Sequence, residues 1–233
     1  MTRRQLSLCA VLIAQMLGFT ACARADEQPR VIPAPIVDEA KPRPGNAQVA
    51  VLSGGCFWGM QGVFEHLKGV RQVIVGYAGG KADTAQYETV STGATGHAES
   101  VKITFDPSIV TYGQVLRVFF SVAHDPTELN RQGPDSGTQY RSDIFAATAD
   151  QERIARAYMT QLAHAHVFGQ PVATRVDRLS GFYPAERYHH DYLLHNPGSL
   201  YIVINDLPKI ANLKRLYPDR YSDTPVRFAS TSR

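Results

Sequence analysis

The sequence predicts an α+β domain in which helices pack against a mixed sheet. Three observations carry that reading. Short apolar or alternating runs of strand length recur at Val49–Leu52, Val73–Tyr77, Val101–Phe105, Ile144–Ala147 and Val172–Val176. Stretches with helical spacing lie between some of them, but not in strict alternation. The 233 residues, 44% of them hydrophobic, suffice for one sizeable core.

The first 25 residues read as a secretory signal peptide. Arg3 and Arg4 form a basic start, Leu6 to Phe19 is a mostly apolar run, and Ala23-Arg24-Ala25 supplies a small-x-small cleavage site. The run is too short and interrupted for a membrane span. Thr2-Arg3-Arg4-Gln5-Leu6 also resembles a twin-arginine signal, and Phe19-Thr20-Ala21-Cys22 resembles a lipid-attachment box with an unfavourable first residue, so a variant anchored through Cys22 stays open. The expectation is export, to the periplasm, without stable membrane insertion of the mature chain. Arg3, Arg4 and Arg24 account for the whole formal net charge of +3, so the chain from Asp26 onward is balanced. That balance argues against a nucleic-acid or anionic-membrane partner.

Residues 26–47, with Pro29, Pro33, Pro35, Pro42 and Pro44, read as an extended linker. The folded domain is expected over 48–210. Val49–Leu52 suits a strand buried on both faces, and Gly54-Gly55 turn it into a helix from about Phe57 to Leu67 that stops at Gly69. The second strand closes at Gly79-Gly80, and the third, through Val101, Ile103 and Phe105, ends at Asp106-Pro107. Val115, Phe119 and Val122 make a helix stripe, and a long loop follows from His124 to Thr138. After the strand at Ile144, Thr148 and Gln151 have the spacing of a capping box for a helix striped by Ile154, Tyr158 and Leu162. Val172, Thr174 and Val176 read as the last strand. Residues 211–233, with Lys214, Arg215, Arg220 and Arg227, read as a solvated basic end.

Cysteine count narrows the chemistry. Of Cys9, Cys22 and Cys56, two lie in the leader, so the mature chain keeps one thiol and cannot form an internal disulfide. In an oxidising compartment a lone thiol is either buried and inert or kept for chemistry. Cys56 falls at a strand-to-helix turn, where free N–H groups and the helix dipole would lower its pKa. Phe57 and Trp58 form either a pocket wall or ordinary core. Glu99 shares the buried face of the third strand, where desolvation raises a carboxyl pKa and makes a general acid, unless the side chain reaches back to solvent. Tyr87 and Tyr140 are either hydrogen-bond donors to a ligand or structural tyrosines. The histidines do not suggest a metal site: His164 and His166 point to different sides of a helix, and His189-His190 are adjacent.

Several stretches together resemble the A-type peptide methionine sulfoxide reductases. They are Gly55-Cys56-Phe57-Trp58-Gly59, Val75-Gly76-Tyr77-Ala78-Gly79-Gly80, Tyr87-Glu88-x-Val90, Gly93-x-x-Gly96-His97-Ala98-Glu99, Asp135-x-Gly137-x-Gln139-Tyr140-Arg141-Ser142 and Phe182-Tyr183-x-Ala185-Glu186-x-Tyr188-His189. The resemblance spans roughly Val49 to Asn196. It implies a two-layer α+β sandwich related to the ferredoxin-like arrangement. It further implies that Cys56 attacks the sulfoxide sulfur, Glu99 protonates the departing oxygen, Tyr87 and Tyr140 bind that oxygen, Phe57 and Trp58 hold the substrate methyl, and Asp135 orients the pocket. The implied substrate is the S epimer of methionine sulfoxide, free or in oxidised proteins, acted on by a monomer with no bound cofactor or metal. Many members resolve the cysteine sulfenic acid with C-terminal cysteines; nothing after Cys56 is cysteine here. Resetting therefore requires an external thiol, thioredoxin-like or small-molecule. Two other readings of the same thiol are a peroxidase and a non-catalytic binding module for oxidised methionine.

Overall fold

The computed structural model describes residues 29–39 and 46–228. The signal peptide, its cleavage site, Cys9, Cys22, linker residues 26–28 and 40–45 and the last five residues lie outside the described residues. In chain order the elements are β1 (Gln48–Ser53), α1 (Phe57–Glu65), β2 (Val70–Ala78), α2 (Tyr87–Val90), β3 (Ala98–Phe105), α3 (Tyr112–Val118), β4 (Arg131–Gln132), β5 (Asp135–Ser136), β6 (Asp143–Ala146), α4 (Ala149–His164), β7 (Arg175–Arg178), β8 (Phe182–Pro184), α5 (Tyr192–His195) and α6 (Leu207–Leu216). Two π-turns, Phe119–Ala123 and Ile202–Asp206, continue α3 and precede α6.

The main sheet has the order β7-β6-β1-β3-β2-β8. Its centre, β6-β1-β3-β2, is the order produced by a βαββαβ chain of the ferredoxin-like kind. All its ladders are antiparallel except β6 with β7, so the sheet is mixed as expected. One face of β3 sends Val101, Ile103 and Phe105 into the core, where they meet Phe57, Met60 and Phe64 of α1. Burying such side chains contributes about 1.5–3 kcal/mol each before entropy is counted. A smaller cluster, Val51, Ala78, Ala98 and Phe145, includes the opposite faces of β1 and β3.

Antiparallel pairing of β1 with β3 positions the chemistry. Leu52 stands opposite Val101, so the end of β1 meets the beginning of β3. That register brings Cys56, just past β1, and Glu99, near the start of β3, to one end of the sheet, although 42 residues lie between them in the chain.

Several expectations need correction. The strand expected at Val172–Val176 starts only at Arg175, and it is not the last. β8 follows, pairing Tyr183 with Tyr77 of β2 as an edge strand that ends at Pro184, where a missing N–H does no harm. Thr148 does cap α4, accepting from the Gln151 amide at 3.1 Å, but the Gln151 side chain takes the Ala147 amide instead of closing a reciprocal box. A true capping box stands at Thr111 and Gln114 of α3.

The described part of the linker does not behave as a free spacer. Ile32 is buried in the main core, Tyr158 donates its hydroxyl to the Pro33 carbonyl at 2.7 Å, and Arg117 donates to the Ile32 carbonyl. Asp38 accepts the Gly113 amide and Glu39 the Tyr112 amide, each satisfying an open donor at the start of α3.

The expected solvated end from residue 211 is likewise corrected. Ile210 and Leu213 of α6 are buried while Lys214 and Arg215 stay outside, so the cations mark one face of an amphipathic helix. Beyond it Tyr221 stacks on His66, the Val226 amide donates to the Glu65 carbonyl at 2.9 Å, and the Phe228 amide donates to the Asp191 carboxylate. Among the described residues no helix is long and apolar enough to cross a membrane.

Candidate active site

Gly54 and Gly55 connect β1 to α1 in a tight turn. Gly55 has φ +87°, and a side chain on it would strike Gln132, while one on Gly54 would strike the His124 ring. Only glycines let the chain turn here against both neighbours. The turn leaves Cys56 as the N-cap residue of α1, 8% exposed.

Glu99 is 3% exposed, and its Oε2 accepts the Phe57 amide at 3.1 Å. That bond ties the carboxyl to the residue after Cys56. Burial pushes the Glu99 carboxyl up to about 8, more than the Phe57 amide pulls it down, so it carries a proton at neutral pH. The expected lowering of the Cys56 thiol is overturned. Burial pushes it up, Glu99 and Asp206 push the same way, and the single backbone contact to Trp58 that favours the thiolate is outweighed. The helix end is present, but desolvation and neighbouring carboxylates win.

The other expected residues converge on this point. Burial raises the hydroxyls of both Tyr87 and Tyr140, and both lie within electrostatic reach of Glu99 and Cys56. They remain O–H donors at any ordinary pH. Asp135 on β5 bears on both Cys56 and Glu99. Phe57 is buried, and Trp58 is half-buried, stacked on Tyr192 with ring centroids 3.8 Å apart.

Residues without an assigned role in the sequence hold these in place. Glu186 accepts the Tyr87 amide and the Tyr77 hydroxyl, each at 2.9 Å, and so fixes the start of α2. Trp58 donates its indole N–H to His189 Nδ1 at 3.2 Å, which needs a neutral imidazole; burial lowers His189 to about 4 and keeps it neutral. Arg141, paired with Asp143 at 3.0 Å, donates to the Thr138 and Gly96 carbonyls and pins the turn carrying Tyr140 to the approach of β3. Tyr201 donates to Asp135 at 2.5 Å and meets Trp58 edge-on. Glu186, Arg141 and His189 stand inside the quoted motifs, which supply a signal without a role. Tyr201 and the nearby Asp206 and Lys209 lie in a stretch with no sequence pattern. Among the described residues no group of three or more histidines, cysteines or acids could hold a metal ion.

Taken together, a buried thiol, a protonated carboxyl, two hydroxyl donors and an aromatic wall can move an oxygen from a polarised oxygen donor onto the thiol sulfur. Comparison with known proteins agrees. A family model described as peptide methionine sulfoxide reductase matches residues 48–220. The chain is 58% identical over 194 residues to peptide methionine sulfoxide reductase MsrA 2 of Mesorhizobium japonicum, covering 83% of this chain and 99% of that one. It is 47% identical over 193 residues to MsrA 2 of Synechocystis, covering 82% and 90%. Among solved structures it resembles reduced Mxr1 from Saccharomyces cerevisiae, with a TM-score of 0.59 and 32% identity over 67% of this chain and 90% of that one. Methionine sulfoxide reductase A of Corynebacterium diphtheriae gives 0.56 and 34%, over 68% and 78%. The chain belongs to the peptide methionine sulfoxide reductase family and is an oxidoreductase that returns methionine sulfoxide to methionine.

Proposed function

We propose that Cys56 and Glu99 perform this reduction as nucleophile and acid, acting on the S epimer in proteins and in the free amino acid. The observation that carries the reading is the hydrogen bond from the Phe57 amide to Glu99, which holds a protonated carboxyl beside the only cysteine among the described residues.

The Cys56 sulfur attacks the sulfoxide. Glu99 gives its proton to the sulfoxide oxygen, held by the Tyr87 and Tyr140 hydroxyls, while the thiol proton replaces the one Glu99 lost. The S–O bond to the substrate breaks as the Cys56 S–O bond forms. Methionine leaves with its sulfur reduced by two electrons, and Cys56 is a sulfenic acid, oxidised by two. Phe57 and Trp58 accept the methyl group, and Asp135 with Tyr201 orients the wall opposite.

Resetting needs two equivalents of an external thiol, thioredoxin-like or small-molecule. The first forms a mixed disulfide with Cys56 and releases water; the second releases Cys56 as thiol and leaves the reductant oxidised. The lone Cys56 supports this, since the sequence after it offers no second thiol. No bound cofactor is invoked. The site is complete within one chain, which supports a monomer, and the balanced charge past the leader offers nucleic acid no footprint. The leader supports export to the periplasm, with the Cys22 lipid anchor as the variant form.

The test is single-turnover reduction of methionine S-sulfoxide, with trapping of Cys56 by a sulfenic-acid reagent. Cys56→Ser abolishes both signals. Full activity in that variant would exclude Cys56 as the nucleophile, and binding without trapped sulfenic acid would favour a binding module.

A further inference from the structure

The helical stretch that ends in α6 begins before the π-turn, where the Val203 amide donates to the Ser199 carbonyl at 2.9 Å. Leu200, Val203 and Ile204 are spaced three and four residues apart and so share one face. Ile202, Ile210 and Leu213 of the same stretch are buried, as the core side of an amphipathic helix requires. The outer side would then be polar, and it is not. Leu200 is 73% exposed, Val203 45% and Ile204 47%, and Pro208, four residues further on, is exposed as well. Single exposed apolar side chains are ordinary, whereas neighbours on one face mark an interaction surface.

This face borders the site. Tyr201, next to Leu200 in the chain, points inward: it donates to Asp135 and meets Trp58 edge-on, with ring centroids 5.9 Å apart. On its other side Trp58 donates to His189, whose ring lies 4.1 Å from that of the exposed Tyr188. The apolar face is therefore continuous, through Tyr201, with the aromatic wall that Trp58 builds beside Cys56.

We propose that Leu200, Val203 and Ile204 form a subsite for the peptide around the oxidised methionine, taking a bulky apolar side chain two residues away from it. The inference rests on Trp58 holding the sulfoxide side chain beside Cys56. In an extended peptide, residues two apart point the same way and stand about 7 Å from one another. With the sulfoxide against Trp58, the residue two positions off meets the rim beyond Tyr201. The chemistry of the occupant follows from where methionine sulfoxide arises. Methionine is most often a core residue, so neighbours on its own side of the chain are apolar too. Oxidation makes its side chain polar and disrupts that core. A segment opened in this way brings an apolar side chain along with the sulfoxide, and the side chains of this helix face offer it apolar contact and no charge. Free methionine sulfoxide has no such neighbour and does not use the face.

The test compares two heptapeptides with a central methionine S-sulfoxide and glycine elsewhere, one carrying leucine and one serine at both positions two residues from the centre. Each is titrated into Cys56→Ser, which lacks the nucleophile, and binding is read from the fluorescence of Trp58, the only tryptophan in the chain. The leucine peptide is expected to bind about tenfold tighter. Leu200→Ser/Val203→Thr/Ile204→Thr in the same background is expected to bring the two peptides within about twofold of each other and to leave binding of free methionine S-sulfoxide unchanged. Ile204→Lys alone is a second variant expected to move the same way by less. Equal binding of the two peptides before the face is altered, or a preference that survives both variants, overturns the proposal. It is equally overturned if the variants lose the free amino acid together with the peptides, since the face then only supports the pocket. A dimer in sedimentation that the variants dissociate overturns it in favour of a second copy, and an unchanged preference with slower resetting by a protein dithiol does so in favour of the reductant. Reduction of the sulfoxide by Cys56→Ser itself would overturn the reading of the nucleophile and not the subsite, because the fluorescence preference does not depend on the sulfur.

Discussion

Glu99 and Phe57 are joined by a 3.1 Å hydrogen bond from the Phe57 amide to the Glu99 carboxyl, which locks the acid on β3 to the first turn of the helix that Cys56 caps. The acid is thus aligned with the thiol through backbone. Glu99→Gln keeps the shape and the acceptor but cannot give up a proton. It is expected to slow single-turnover sulfoxide reduction by about 10²–10⁴-fold. With Glu99 at about 8, the parent rate should fall as pH rises through that value, because the acid is then deprotonated. The same high-pH limb persisting in Glu99→Gln would remove Glu99 as its source.

His189 should govern substrate affinity more than chemistry. Its Nδ1 takes the Trp58 indole N–H, and its ring lies 5.0 Å from that of Phe57. His189→Phe leaves the indole donor without that acceptor and frees Trp58 to rotate. A KM for methionine sulfoxide about tenfold higher, with kcat little changed, corresponds to the ordinary cost of about 1–3 kcal/mol for a buried polar group left unpaired. A large fall in kcat at unchanged KM would contradict this division.

Stability should fall with pH through Glu65, which lies under the docked C-terminal segment. Burial, then the nearby Asp191, raises Glu65 from 4.5 to about 10. A raised folded pKa means that its contribution is fully present below about 4.5 and is lost as pH rises toward 10, since the unfolded chain ionises first. Glu65→Gln removes that loss. Urea unfolding at several pH values should show the variant gaining on the parent from pH 5 to 9, by up to about 1.4 kcal/mol per unit. A constant difference across that range would refute the assignment.

The segment before β1 should carry stability despite its proline content. Ile32→Ala empties a site in the main core and is expected to cost about 2–5 kcal/mol. Asp38→Ala strips an acceptor from the start of α3 and is expected to cost about 0.5–2 kcal/mol. Equilibrium unfolding measures both. A free linker would leave the midpoint unmoved.

Much of this was legible in the chain because period-2 alternation and helical stripes report burial directly. Val101, Ile103 and Phe105 announce the face of β3, and Glu99 follows from the same alternation. β8 was not legible: three residues ending in proline show no pattern, and they form a strand only because β2 offers an open edge. The C-terminal helix was obscured by Lys214 and Arg215, which mark its wet face while Ile210 and Leu213 carry the packing. The prolines of residues 29–39 read as a spacer because proline restricts the chain without saying what it lies against.

By itself the sequence determined the family, the nucleophile candidate and its acid, because these depend on residue types in fixed local order. Only the tertiary structure decided the charge on Cys56. A helix end is a local feature that argues for a thiolate, whereas desolvation and the carboxylates of Glu99, Asp135 and Asp206 arrive from elements distant in the chain. Electrostatic energy depends on distance and surrounding polarizability, which the order of residues does not contain until they are folded.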